Sequence, residues 1–360
     1  MPNQNFLILT CDGGGIRGLI PAMLANDLDR RFGILARVNV FGGTSAGGTL
    51  ALAMAQNIPL ERLIQMFLND GSEIFTPYRG PLAGSKRGSG FLSKLKSLLH
   101  RLEDRLDKDM VQLEGFDLGD LLHIKYSNSG LVKVYSSQYG DARLKDIRPV
   151  NVATLQLLNP NTGNWRPMTL DNFTAGAHPE IRSVDAALCT SAAPVYFPPH
   201  RIAENESMGY FADGGIFANN PCTLTLSNVV AAGLLEKAGK TMEQVRVLSL
   251  GTGVTQEGIS PKVVRNPDSW GILNWMFPLQ RGKTPAVPLL NALLNTVMDV
   301  DAYTGAQLLG DRFRRGNVNL PDDYPLDNWQ DVQTLKRWTD EYIASPAWNS
   351  ICQWVEQNFC

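Results

Sequence analysis

Histidine, cysteine and long apolar runs are scarce in this sequence, and each shortage excludes a class of protein. The 360 residues include four His and five Cys. The cysteines show no CxxC pair and no Cys/His spacing typical of zinc sites. Their odd number in so long a chain argues against a disulfide framework and favours a reducing compartment. No apolar run approaches the roughly 18 residues that a membrane-spanning helix needs.

The chain also lacks a strong charge and a targeting segment. Its formal net charge is −2, so no overall electrostatic attraction draws it to nucleic acid. The opening stretch MPNQNFLILTCDGGG has no basic region, and its apolar run is too short for a secretory signal. We expect a cytoplasmic protein without a signal peptide or transmembrane segment, with no nucleic-acid partner, and with peripheral membrane contact at most.

The first 56 residues alternate between strand and helix patterns. Short apolar runs at 5–11 and 38–41 each end at glycines, and helically spaced apolar residues follow at 18–33 and 46–56. This βαβα order predicts an α/β fold with a mostly parallel central sheet that helices cover on both faces.

Later segments have mixed patterns, and the tail after about residue 285 is predicted to be largely helical. Residues 71–90 are rich in Gly, Ser and Pro and predict a loop. The other predicted elements are strands at 132–136, 150–158, 165–170 and 245–250, and helices at 59–69, 183–193 and 222–235.

A turn between the second strand and its helix suits a nucleophilic serine. Gly43-Thr44-Ser45-Ala46-Gly47 matches the pattern G-x-S-x-G. A serine on a sharp strand-to-helix turn exposes its hydroxyl above the sheet, and the glycines permit the strained backbone. The helix N-terminus adds partial positive charge. A plain connecting turn is the alternative, but the strand and helix patterns on either side favour the nucleophile.

The glycine loop after the first strand has two interpretations. Residues 12–18 read Asp-Gly-Gly-Gly-Ile-Arg-Gly, and Gly13, Gly15 and Gly18 have the spacing of a dinucleotide-binding turn. Such a site also needs an acid at the end of the second strand, where this chain has only Gly, Thr and Ser. A P-loop is excluded because the turn at 43–48 has no Lys.

The second interpretation is an oxyanion hole. The backbone N–H groups of Gly14 and Gly15 could point at a developing alkoxide, with Arg17 nearby, and each such donor contributes about 3–4 kcal/mol. Both turns would lie at the carboxyl ends of parallel strands, so they would share one crevice. A nucleotide-binding protein stays open as the alternative.

A carboxylate is the best candidate for the base. None of the four histidines has a setting typical of a catalytic triad. Asp213 follows a short aromatic strand segment and precedes Gly214 and Gly215. Desolvation beside a serine would raise its affinity for a proton. The alternative is a turn-forming Asp-Gly-Gly.

Three motifs together resemble the patatin-like phospholipase family: DGGGIRG at 12–18, GTSAG at 43–47 and DGG at 213–215. TSAAPVYFPP at 190–199 and FADGGIFANNP at 211–221 add to the resemblance. It implies a three-layer fold, with a catalytic region at 7–222. Residues 223–360 would complete the core and add a helical extension.

The resemblance also implies a function. Ser45 would attack an acyl ester with Asp213 as its base, in a dyad without histidine. The loop from Gly13 to Gly18, including Arg17, would bind the oxyanion. No metal or organic cofactor is implied, and the substrate would be a phospholipid or another acyl lipid.

Some bacterial members of the family are effectors that cyclic nucleotides activate. A compact chain with a helical C-terminal portion suits that class, so a small-molecule activator is predicted by analogy. A catalytically silent interaction protein on the same fold is the other alternative.

Two apolar segments are candidates for membrane contact. Residues 91–109 predict a helix whose apolar face lies beside basic residues, as in an interfacial lid, but its four acidic residues favour an ordinary surface helix. Trp270, Trp275, Met276 and Phe277 form a second cluster, which we interpret as core.

Overall fold

The computed structural model describes residues 5–78, 124–255, 258–259, 261–264, 267–269, 275, 288–322 and 324–360. The predicted helix at 91–109 lies outside these residues, as do Trp270, Met276 and Phe277. Trp275 is exposed (37%), so the interpretation of this cluster as core is wrong for that residue. Among the described residues no helix combines the length and hydropathy needed to cross a membrane.

Within the described part of the chain, eight strands form one sheet. Their bounds are β1 Phe6–Cys11, β2 Val40–Thr44, β3 Val150–Gln156, β4 Arg166–Asp171, β5 His200–Arg201, β6 Tyr210–Asp213, β7 Val245–Leu250 and β8 Phe313–Gly316. The strand order is β5-β6-β3-β2-β1-β7-β8, and β4 pairs with the remaining edge of β3. Strands β3, β2, β1, β7 and β8 run parallel, while β4, β5 and β6 are added by antiparallel pairing.

Helices connect and cover these strands. The bounds are α1 Leu19–Phe32, α2 Ala46–Ala55, α3 Leu60–Asn69, α4 Gly71–Ile74, α5 Ser129–Tyr139, α6 Ser183–Thr190, α7 Gly215–Ala218, α8 Cys222–Ala231, α9 Leu234–Lys237, α10 Pro261–Val264, α11 Pro288–Leu309, α12 Val332–Ile343 and α13 Pro346–Phe359. The three-layer α/β fold implied by the sequence is thereby confirmed.

Burial along β1 explains why its sequence is apolar throughout. Leu7 and Leu9 belong to the larger core cluster, which includes residues of α1, α2 and α3. Phe6 and Ile8 point to the opposite face and pack in a smaller cluster with residues of α8 and α9. Successive strand residues face opposite sides, so a strand covered on both sides needs apolar residues at every position.

The carboxyl ends of β2 and β6 meet on one edge of β3. The last residue of β2 pairs with Ala153, and Asp213, the last residue of β6, pairs with Thr154. Strand β4 occupies the other edge of β3. Because β2 is parallel to β3 and β6 is antiparallel, the two strands point at each other. Ser45, which follows β2, is therefore brought to Asp213.

The strand predicted at 132–136 is wrong, since these residues lie in α5. Val132 and Val134 favour a strand by propensity, but the large side chains of this segment recur at helical spacing. Leu131, Val134, Tyr135 and Tyr139 are buried, whereas Val132 is exposed. Burial of one helical face outweighs the preference of two β-branched residues.

Smaller differences concern element ends and one edge strand. The helix predicted at 222–235 ends at Ala231, and Gly233 (φ 63°) starts a separate short helix. The predicted loop at 71–90 begins with the helical turn α4. Strand β8 was not predicted because its sequence, Phe-Arg-Arg-Gly, is too polar and too short for the apolar-run criterion.

Candidate active site

Ser45 lies on a strained turn between β2 and α2. Its backbone dihedral angles are φ 53° and ψ −127°, in a region that non-glycine residues rarely adopt. Its N–H donates to the Thr190 hydroxyl at 2.8 Å, and that hydroxyl donates to the Ala153 carbonyl at 2.7 Å. The Thr44 hydroxyl donates to the Ala218 carbonyl at 2.6 Å. These bonds hold the turn in its strained conformation.

The glycines of the turn are required because backbone atoms of other residues lie very close to them. A Cβ on Gly47 would lie 2.1 Å from the carbonyl oxygen of Cys11, and one on Gly43 would lie 2.2 Å from the Gly47 carbonyl oxygen. A side chain at Gly47 would push α2 away from the end of β1, and one at Gly43 would clash with the first turn of α2.

Asp213 is buried beside Ser45, with 5% of its surface exposed. Burial raises the pKa of its carboxyl to about 7, while hydrogen bonds from the Ser45 side chain and the Gly215 N–H partly oppose this rise. The Gly215 bond is 2.8 Å long. A Cβ on Gly214 would lie 2.5 Å from the Ala153 backbone, so this glycine lets the acid approach β3. A carboxyl with this pKa can both accept and return a proton near neutral pH.

Replacing Asp213 by Asn is expected to stabilise the fold at pH 8 by about 4 kcal/mol, because each unit of pKa shift corresponds to about 1.4 kcal/mol. The folded pKa is raised from 3.8 to about 7. The stabilising contribution of the wild-type carboxyl is therefore present below its unfolded pKa and lost as the pH rises through about 7. Asn does not ionise, so the variant escapes this loss.

Urea unfolding of both proteins at pH 8 and pH 4 measures the difference. The advantage of Asp213→Asn in free energy of unfolding should shrink at pH 4. Equal advantages at the two pH values would contradict the raised pKa.

The glycine loop lies beside Ser45, since a Cβ on Gly13 would be 3.2 Å from the Ser45 side chain. The Gly13 N–H donates to the Asn219 carbonyl at 2.9 Å, so it is already engaged. Neither the Gly14 N–H nor the Gly15 N–H has an acceptor among the described residues. Both glycines line the same cleft as Ser45 and Asp213. The structure therefore leaves these two groups as candidate oxyanion donors.

The loop packs tightly against the protein on its other sides. A Cβ on Gly14 would lie 2.6 Å from the Thr252 side chain, and Gly15, at φ 56°, faces the Leu326 carbonyl oxygen. A Cβ on Gly18 would lie 2.7 Å from the side chains of Ala46 and Phe67. Protein atoms thus occupy the Cβ side of Gly14, Gly15 and Gly18, so the close approach that these glycines permit is to the protein itself.

Asp12, directly before the glycines, forms a buried ion pair that the sequence did not predict. Its carboxylate is fully buried and accepts two hydrogen bonds from the Arg315 guanidinium, at 3.2 and 2.5 Å. Arg315 also donates to the Ser249 hydroxyl at 2.8 Å. Burial raises the pKa of Asp12, and Arg315 opposes that rise. The pair fastens β8 to the base of the glycine loop.

A narrow cleft with a cavity volume of about 70 Å³, partly open to solvent, contains these groups. Its walls are mostly apolar, from Met66, Phe67, Ile74, Phe75, Leu131 and Phe197, among others. The Tyr135 and Ser191 hydroxyls also line it and lie 3.1 Å apart. The cleft has the mostly apolar lining, with a few polar groups, that is typical of a small-molecule or acyl-chain site.

Several predicted residues do not reach the cleft. Arg17 is buried but does not line it, and Gly18, Gly43 and Gly47 serve packing. His178 and His200, the histidines within the described part of the chain, are also absent from its walls; His200 pairs with Asp185 at 3.1 Å. Sequence reasoning missed Thr190, Asn219 and Arg315 because each acts on a residue distant in the chain.

A search of the described ranges finds no cluster of three His, Cys, Asp or Glu side chains that could hold a metal ion.

The sequence similarity extends beyond the short motifs. The profile of a family described as patatin-like phospholipase matches residues 9–226. This chain belongs to the patatin-like phospholipase family. Membership in this family supports the coarse description of a lipid ester hydrolase.

Relatives within the patatin-like phospholipases include bacterial and plant proteins. A cGAMP-activated phospholipase from Pseudomonas aeruginosa is 31% identical over 307 residues, which cover 82% of this chain and 77% of that protein. Patatin-like protein 3 from Arabidopsis thaliana is 27% identical, covering 89% and 74%. Probable inactive patatin-3-Kuras 1 from Solanum tuberosum is 26% identical, covering 89% and 82%.

Solved structures resemble this patatin-like chain more loosely. VipD from Legionella pneumophila has a TM-score of 0.40 and 13% identity, over 94% of this chain and 67% of its own. Human GIVD cytosolic phospholipase A2 has a TM-score of 0.37 and 13% identity, over 99% and 60%. These scores are too low to support conclusions about the site, so the family assignment depends on the sequence match.

Proposed function

We propose that this protein hydrolyses fatty-acyl esters of phospholipids with a Ser45–Asp213 dyad. One observation carries the proposal: strands β2 and β6 end head-on, which brings a strained serine to a buried carboxyl in an apolar cleft. A nucleophile beside its base, with free backbone donors close by, is the arrangement that acyl transfer needs.

In the first half of the reaction the Ser45 hydroxyl attacks the ester carbonyl carbon. Asp213 takes the hydroxyl proton as the C–O bond forms, and the carbonyl oxygen becomes an oxyanion. The N–H groups of Gly14 and Gly15 bind that oxyanion. The intermediate collapses to an acyl-enzyme, and Asp213 returns the proton to the departing alcohol.

In the second half a water molecule attacks the acyl-enzyme. Asp213 accepts a proton from the water, and the same two N–H groups bind the second oxyanion. Collapse releases the fatty acid, and the proton returns to the Ser45 oxygen. A carboxyl whose pKa is raised to about 7 suits both roles, because an ordinary Asp would be too weak a base.

Two features support an acyl lipid as the substrate. The cleft beside Ser45 is mostly apolar, as a fatty-acyl chain requires. The Tyr135 and Ser191 hydroxyls are among its few polar groups and could hydrogen-bond to oxygens of a lipid backbone. Burial raises the pKa of Tyr135, so its hydroxyl stays protonated as a potential donor.

The two alternatives are less well supported. The tight packing around Gly13–Gly18 disfavours nucleotide binding there. A catalytically silent protein has a precedent, since one relative is named as inactive. The strain at Ser45 and the unengaged N–H groups favour an active enzyme, because strain without a catalytic role would only destabilise the fold.

The cellular role extends the proposal. Activation of the Pseudomonas relative by cGAMP supports a small-molecule activator here as well. All five cysteines are unpaired, which supports a reducing, cytoplasmic location with peripheral membrane contact during catalysis. A membrane-degrading bacterial effector would combine these properties.

The test is fatty-acid release from vesicles that contain several phospholipid headgroups, analysed by mass spectrometry of the products. Wild-type protein is expected to release fatty acid and the matching lysophospholipid. The rate should rise with pH through about 7, because only the ionised Asp213 accepts a proton.

Asp213→Asn is the control for the base and is expected to lose at least about 100-fold in rate, in line with removal of a general base. Retained release by this variant would place the base elsewhere. If wild type releases nothing, with or without added cyclic nucleotides, the hydrolase proposal fails.

A further inference from the structure

Helix α11 contributes to the cleft on one side and exposes an apolar surface on another. Leu290 and Leu294 line the cleft that holds Ser45. Five other large apolar side chains of this helix are exposed to solvent, and four of them share one side of it: Leu289 (39%), Leu293 (39%), Val300 (63%) and Tyr303 (67%). We call these four residues the apolar row.

The apolar row forms one continuous stripe. At 100° per residue its members fall within an arc of about 80° on the helix surface. A surface helix of a globular protein usually turns such a stripe to the core. Here Met298 and Leu309 are among the residues that face the core, and the apolar row is a second apolar face of the helix.

Two threonine hydroxyls along the stripe donate hydrogen bonds to backbone carbonyls of the same helix. The Thr296 hydroxyl donates to the Ala292 carbonyl at 2.6 Å, and the Thr304 hydroxyl donates to the Val300 carbonyl at 2.8 Å. Neither hydroxyl needs water as a partner, so both can enter an apolar medium at little penalty. Helix α11 contains no Lys or Arg, so its attraction to a surface would not depend on acidic headgroups.

We propose that the apolar row docks the protein on the surface of a lipid bilayer and aligns the cleft with it. The proposal deepens the phospholipase function and rests on it. An acyl chain that leaves a bilayer for the cleft should pass along apolar surface, because exposing its methylene groups to water is unfavourable. Helix α11 provides that surface, since Leu289 and Leu293 adjoin the cleft-lining Leu290 and Leu294.

The test uses the full chain with Ser45→Ala, so that lipids stay intact, and co-sedimentation with phosphatidylcholine vesicles. Adding Val300→Ser and Tyr303→Ser is expected to weaken binding by about tenfold or more, since two exposed apolar side chains are lost. Raising the salt from about 0.05 to 0.5 M should change wild-type binding little, because no charged pairs are involved.

A matched control carries Val230→Ser and Trp165→Ser, which remove an exposed Val (44%) and an exposed aromatic residue (76%) away from the cleft. This control should bind vesicles like the parent. Equal losses in both double variants, or undiminished binding by Val300→Ser/Tyr303→Ser, would overturn the proposal. Unfolding midpoints of both variants verify that each is folded.

Light scattering separates a bilayer from a second copy as the occupant. A change from dimer to monomer on Val300→Ser/Tyr303→Ser would assign the apolar row to self-association and overturn lipid docking. Co-sedimentation requires no turnover, so failure of the phospholipase proposal would show separately, as absence of fatty-acid release by wild type.

Discussion

Replacing Ser45 by Ala is expected to lower fatty-acid release by at least about 10⁴-fold, because the covalent route is lost when a nucleophilic serine is removed. The Gly14 and Gly15 donors and the apolar cleft remain in this variant, so binding of lipid should be nearly unchanged. The loss should therefore fall on kcat rather than on KM. Initial rates with a short-chain soluble ester and with phospholipid vesicles measure it.

Ser191→Ala is the control, because it measures the effect of removing a serine that lines the same cleft but does not attack the substrate. This side chain lies 3.1 Å from the Tyr135 hydroxyl and is not on a strained turn. Its removal should reduce the rate by about tenfold at most, the effect of one lost neutral hydrogen bond. A fluorophosphonate probe should label wild type at Ser45 and leave Ser45→Ala unlabelled. A Ser45→Ala rate within tenfold of wild type would refute the dyad.

Replacing Arg315 by Met is expected to destabilise the fold by about 3–5 kcal/mol, the usual loss when one partner of a buried ion pair is removed. Asp12 has no exposed surface, so its carboxylate would lose its hydrogen-bonded counter-charge and have no access to water. Urea unfolding at pH 7 gives the change in free energy of unfolding.

A second substitution tests the cause of that loss. Adding Asp12→Asn to Arg315→Met removes the stranded charge and should recover part of the stability. The surface pair of Arg201 and Glu206, with 41% and 64% of the side chains exposed, is a useful control. Arg201→Met should change the free energy of unfolding by less than about 1 kcal/mol. A similarly small change for Arg315→Met would mean that the pair is hydrated in solution.

The Asp12–Arg315 ion pair should also affect catalysis, but only because it positions the glycine loop. Asp12 directly precedes the glycine loop, and its N–H donates to the Leu250 carbonyl at 3.0 Å. Loosening this end of the loop would misplace the Gly14 and Gly15 donors, whose value depends on fixed geometry. Any folded Arg315 variant should accordingly lose rate with soluble esters as well as with vesicles.

Local patterns in the sequence determined the main elements of the fold. The apolar run of β1 and the helical spacing of α1 predict those elements because each must bury a defined face. The turn at Ser45 was predicted for a similar reason, since only small residues permit so sharp a bend between strand and helix. Errors arose where two local signals compete, as in α5, whose valines favour a strand while its burial follows a helix.

The composition of the site was decided by tertiary structure. The order and type of the residues indicated Ser45, Asp213 and the glycine loop. They did not indicate that the Gly13 N–H donates to the Asn219 carbonyl. Nor did any local signal point to Arg315, which lies 303 residues from Asp12. Contacts between distant segments leave no periodic pattern in a single sequence.

The sequence by itself determined which chemical groups the protein has and which turns present them. Only the tertiary structure decided that β6 approaches β2 end to end along β3, because strand pairing joins segments far apart in the chain. The raised pKa of Asp213 has the same origin. It depends on burial, which the packing of many separate segments around one carboxyl produces together.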